Sequence, residues 1–159
     1  MVPGLLQIAD YARRVMLQGN PSDQPDIAEA VAARIRRQTI LYDPHKQFEF
    51  VVTESALRWR PGPPELMRSQ LSHLASVASL PNVKLGVIPQ DIEAPDAYLH
   101  PFVMFESSAE RLVTVETYTA EMVIRDDRDI ALYERTLERF RSVCKWSEEA
   151  TTAIRAMAT

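Results

Sequence analysis

Phe48-Glu49-Phe50-Val51-Val52 opens and Val83-Lys84-Leu85-Gly86-Val87-Ile88 closes the stretch from Phe48 to Pro89, on which the fold turns. Both runs are short, apolar and rich in β-branched and aromatic residues, as strands are. Between them Met67, Leu71, Leu74 and Ala78 recur at helical spacing. Pro63 and Pro64 stand before that segment and Leu80-Pro81-Asn82 after it, so the helix has a start and a stop. A strand, a helix and a strand joined by short turns make a crossover with parallel strands. The expected fold is mixed α/β: a small mixed sheet with a β-α-β crossover followed by antiparallel strands, with helices at both ends.

Upstream, Pro3-Gly4-Leu5-Leu6 reads as a turn followed by docking leucines. Ala9 to Leu17 reads as a short helix with Tyr11 and Val15 one turn apart and Gly19 as its stop. Asn20 to Pro25 is loop chemistry. Asp26 caps a helix to about Ile40, with Ile27, Val31 and Ile35 as its stripe. Its arginines 34, 36 and 37 complement the helix dipole. Downstream of the crossover, Gln90 to Leu99 is a loop, and Phe102–Phe105 and Leu112–Tyr118 are strands around a hairpin turn at Ser107–Glu110. Met122–Ile124 is a further short strand. Ile130, Tyr133, Leu137, Phe140 and Cys144 form a seam through a long helix that starts at Asp126 and Asp127. Ser147 is expected to cap a last helix.

The 159 residues, 46% hydrophobic and 25% charged, suffice for a core, and one domain spanning 1–159 is expected. Eighteen basic against 22 acidic residues give a net charge of -4, which argues against gripping nucleic acid by a general positive field. A single cysteine rules out an internal disulfide and fits a reducing compartment. No apolar run approaches the ~20 residues of a membrane span, so a cytoplasmic protein without membrane contact is expected.

The chemistry-bearing residues are scattered. His45, His73, His100 and Cys144 lack metal-ligand spacing, and the four glycines form no phosphate loop. No nucleophile elbow is present, so neither an enzyme nor a metal or other cofactor is expected. Glu54, Glu106 and Glu116 stand near strand ends, where solvated carboxylates are common. A strand, a helix, a strand, a loop and then His100 before another strand is also the plan of half a phospholipase-D-like domain. That family's motif is His-x-Lys-x-x-x-x-Asp, but here Phe102 and Ser107 hold the Lys and Asp positions. A degenerate phosphodiesterase is thus an alternative reading, and a purely structural dimerisation domain a third. Trp59 between Arg58 and Arg60 has the composition of a binding hot spot. The candidate binding residues are Trp59, Arg58, Arg60, His100 and Glu116.

Several ordered motifs resemble one family. Pro3-Gly4-Leu5-Leu6-Gln7 with Asp10-Tyr11-Ala12-Arg13 resembles its "PGLLQ…DYAR" opening, and Ala32 to Gln38 its "AARxxRQ" helix. Glu54 to Arg58 resembles "E-x-ALR", and Met67 to Leu71 with Leu80 to Val83 resembles "MRxQL…LPNV". His100-Pro101-Phe102 resembles its "xPF" strand. The resemblance is to the uncharacterised C-terminal domain of actinobacterial Xre-type regulators, which carry an antitoxin-like helix-turn-helix before "PGLLQ". It implies a non-catalytic ligand-sensing, partner-binding or dimerisation domain of a transcriptional regulator. It further implies a homodimer, a small partner protein from a neighbouring gene, an unknown small ligand, and DNA contact only through a helix-turn-helix expected to be missing from this chain.

Overall fold

The structure, a computed structural model, describes residues 1–19, 26–117 and 119–158. The expected Asn20–Pro25 loop and the expected strand end at Tyr118 lie outside the described residues. In chain order the elements are α1 (Ala9–Gly19), α2 (Ile27–Arg37), β1 (Phe48–Thr53), α3 (Glu54–Arg58), α4 (Pro64–Val77), β2 (Val83–Ile88), β3 (Val103–Glu106), β4 (Arg111–Glu116), β5 (Glu121–Ile124), α5 (Asp127–Arg141) and α6 (Ser147–Met157). The chain divides into two compact units: Met1–Gln90 with Cys144–Thr159, and Asp91–Val143. No described helix is long and apolar enough to cross a membrane.

In the first unit β1 and β2 pair in parallel, from Phe48 opposite Val83 to Thr53 opposite Ile88. The crossover between them is α3 and α4. Thr53 starts α3 by accepting a hydrogen bond from the Ala56 amide at 3.1 Å, and Pro64 starts α4, where a missing N–H costs nothing. α4 buries Met67, Gln70, Leu71, Leu74 and Val77. Period-2 alternation aims Phe48, Phe50 and Val52 of β1 and Val83, Leu85 and Val87 of β2 into the same core. Glu49, Val51, Lys84 and Gly86 consequently face the other way.

Three glutamines hold the amino-terminal segment on this core. The Gln70 amide donates to the Leu6 carbonyl at 2.7 Å and its oxygen accepts from the Ile8 amide at 2.9 Å. Gln38 donates to the Gly4 and Gln7 carbonyls. Gln7 donates to the Val2 carbonyl and accepts from Arg34 at 2.8 Å, so Arg34 serves this network as well as the helix end. Asn82 donates to the Leu41, Asp43 and Lys46 carbonyls, tying the connector before β1 to the start of β2.

In the second unit β3, β4 and β5 form an antiparallel meander. Val113 and Val115 of β4 pack on Ile130 of α5, with Phe102, Met104, Ile124 and Tyr133 around them. Asp126 caps α5 by accepting from the Arg128 and Asp129 amides.

Three expectations are corrected. The strands form two separate sheets rather than one, because the outer edge of β2 is taken by Lys145, which exchanges two backbone hydrogen bonds with Val87. The same bridge keeps Cys144 off the helical seam: α5 stops at Arg141 and the chain extends to reach β2. Ser147 is the first residue of α6, with φ 51°, and no side chain caps that helix.

Candidate functional site

The five sequence candidates do not form one constellation. Trp59 ends α3, stands 41% exposed and meets Tyr11 edge-on with centroids 6.3 Å apart. Arg58 turns back to Glu54 at 2.6 Å, and the second oxygen of Glu54 accepts from the Gln90 amide at 3.1 Å. Arg60 is exposed. His100 belongs to the second unit, where its ring lies 5.9 Å from that of Tyr133 and its Nε2 is 3.5 Å from the Tyr133 hydroxyl. Phe102 packs edge-on to the same tyrosine at 4.9 Å. Glu116 lies on the opposite face of the sheet: Val113 and Val115 point to α5, so Thr114 and Glu116 point away. His100 and Glu116 therefore do not converge. Among the described residues no three His, Cys, Asp or Glu side chains group as a metal would require.

Two features emerge that the sequence reading passed over. The first is a groove of about 470 Å³ in the first unit, lined by Ala78, Val83, Lys84, Leu85, Trp146 and Thr151 among others. The Trp146 ring lies flat on the backbone of β2: a Cβ added at Gly86 would come within 2.7 Å of it. Lys84 places its ammonium 5.6 Å from the ring centroid, a cation–π distance, and 4.0 Å from Glu49. Burial first, and then the Glu49 charge, push the nearby Cys144 thiol up to about 11, so it stays protonated and inert at neutral pH. A glycine inside an apolar strand was the available signal, since such glycines mark close approach.

The second feature is the outer face of the β3–β5 sheet. In register, Val103 lies opposite Thr114, Phe105 opposite Leu112, and Thr114 opposite Val123. These residues point away from α5, and Val103, Phe105 and Val123 are 52%, 53% and 41% exposed. That face also carries Thr114, buried between Val103 and Val123, and at its end the exposed Glu116 and Glu121.

A family model described as "Domain of unknown function (DUF5753)" matches residues 1–156, and the chain belongs to that family. Comparison with curated proteins finds no match, and neither does comparison with solved structures.

Proposed function

We propose that this chain is a non-catalytic binding domain of a DNA-binding transcriptional regulator, joining subunits or docking a partner protein through the outer face of the β3–β5 sheet. The regulator part rests on the ordered sequence motifs. The binding part rests on one observation: Val103, Phe105 and Val123 present an uncovered apolar face in a chain whose other sheet is packed against helices. Catalysis by His100 finds no support, since Phe102 fills the position a phosphate-binding lysine would need and packs on Tyr133.

The test is light scattering of the chain, alone and with the small neighbouring-gene protein, for wild type and Phe105→Ser. Phe105 is half-exposed, so the substitution leaves the Val113–Ile130 core intact. Wild type should self-associate or bind the partner, and the variant should lose at least part of that association. A wild-type chain that stays monomeric and ignores the partner sinks the reading.

A second reading, small-ligand sensing, is favoured by the groove under Trp146, where an aromatic face and a cation line an open cavity. Titrating aromatic carboxylates into a Trp59→Phe variant reads it through Trp146 fluorescence. An unchanged spectrum, beside unchanged thermal stability, counts against it.

A further inference from the structure

We infer that β5 is the strand through which two copies of this chain pair, edge to edge and antiparallel, with Val123 opposite Val123 on the two-fold axis. This rests on the binding-domain reading above, names the partner as a second copy, and places the contact on the β5 edge of that sheet, at the far side from Phe105 on β3, so Phe105→Ser reports on the face and the β5 variants report on the edge.

The hairpin between β4 and β5 sets the hydrogen-bond phase of both strands. The Thr117 amide donates to the Ala120 carbonyl at 2.8 Å, so these two residues form the closing hydrogen-bonded pair. Antiparallel pairs alternate between bonded and non-bonded. Glu116 and Glu121 are then non-bonded, Val115 and Met122 bonded, Thr114 and Val123 non-bonded. Met122 and Ile124 spend their main-chain groups on β4. Glu121 and Val123 turn theirs outward, and Arg125 continues the phase. β5 is an edge of its sheet, so those groups line an open template.

The side chains on that edge are self-complementary. A two-fold antiparallel pairing centred on Val123 sets Met122 opposite Ile124 and Glu121 opposite Arg125, twice over. An isologous interface requires this property. The charges also gain something they lack within one copy. Glu121 sits directly opposite Glu116, a like-charge pair that disfavours the strand ends. Arg125 reaches Glu110 with its Nε at 2.9 Å, and its guanidinium has further N–H groups for a second carboxylate. An Arg125 from the second copy would offset the Glu116–Glu121 repulsion. The other edge, β3, is less suited. Its outward phase follows from the Ser107 amide bonding the Glu110 carbonyl, which places Met104 and Glu106 outward with Pro101 just before them. Self-pairing there would set acidic Glu106 against apolar Phe102, and proline blunts such an edge.

The pairing would make one six-stranded sheet with a common outer face. Val123 then gains an apolar neighbour across the axis.

The experiment is sedimentation equilibrium over a concentration series, with circular dichroism confirming the fold of each variant. Glu121→Arg alone sets two positive charges against each other across the axis, and Arg125→Glu alone sets two negative ones. Each should weaken self-association by about tenfold, since two cross-strand pairs turn from attractive to repulsive. Mixing the two single variants makes every reversed position meet an opposite charge again, and the mixture should associate as wild type does. Val123→Pro, which removes the central N–H, should dissociate the pair outright. Wild-type dimers that ignore both reversals and Val123→Pro would overturn the β5 pairing while leaving the binding-domain reading on another surface. A wild type that is monomeric at every concentration, yet binds the neighbouring-gene protein, would overturn the pairing alone. Failure of both would overturn the two together.

Discussion

His73 lies on α4 with its Nε2 buried and no hydrogen-bond partner among the described residues. Burial holds its imidazolium below the usual histidine range, because desolvation disfavours the charged form. The native state then binds the proton less readily than the unfolded chain does. Stability is fully present above the unfolded value of about 6.5 and falls as the pH drops through the window below it. His73→Leu removes the titrating group together with its unpaired nitrogen. Urea midpoints at about pH 7.5 and about pH 5.5 should differ less for the variant than for wild type. At the higher pH the variant should be at least as stable, since replacing an unsatisfied buried polar atom by an apolar group is close to neutral. Equal pH slopes for the two proteins would show that the imidazole is solvated after all. Nothing in the sequence foretold this, as a histidine between Ser72 and Leu74 reads as a boundary residue of an apolar stripe.

At the scale of elements, the amino-terminal segment is held by side chains that come from far away in sequence. Gln70 is fully buried on α4 and satisfies both the Leu6 carbonyl and the Ile8 amide, more than sixty residues distant. Gln70→Leu keeps the volume and leaves both backbone groups without a partner. The expected cost is about 1–3 kcal/mol per stranded group. Hydrogen exchange at the Ile8 amide should accelerate along with a fall in the thermal midpoint. An Ile8 amide as protected as in wild type would mean that water or another group replaces the glutamine. Periodicity explains what was readable here and what was not. The spacing of Met67, Leu71 and Leu74 located α4, and the strand expected from Leu112 is β4, Arg111–Glu116. Neither pattern says which polar side chain inside a stripe reaches which carbonyl. In the same way the sequence marked Trp59 as a binding candidate by its arginine neighbours without fixing its exposure, which is 41%, and it grouped His100 with Glu116. Alternation along β4 sets Glu116 with Thr114 on one face, whereas His100 lies outside any strand, so no period assigns its side.

For the molecule as a whole, the division into two units depends on where the chain leaves β2 and where it returns. It leaves after Ile88 and returns at Lys145, whose amide and carbonyl pair with Val87 at 2.8 and 2.9 Å. The two ends of the intervening segment are thus side by side on the first unit, the arrangement by which one domain is inserted into another. Composition could not reveal this, since the apolar content needed for one core also serves two, and one core was what the length suggested. The first unit has its own cluster, from Val2 and Leu6 through Leu74 to Ile154, and the second has Val113, Val115 and Ile130. Replacing 91–143 by a short Gly-Ser loop should therefore leave a folded first unit. Closing a short loop across adjacent ends costs little, and less than closing the long native one. The expected result is a cooperative thermal transition with the near-ultraviolet signal of Trp59 and Trp146 retained. If the excised chain melts without cooperativity, the first unit depends on the second, and the chain is one domain as its length suggests. The same excision removes β5, so a dimer of the full chain should become a monomer in the excised one. Association that survives the excision would place the interface on the first unit.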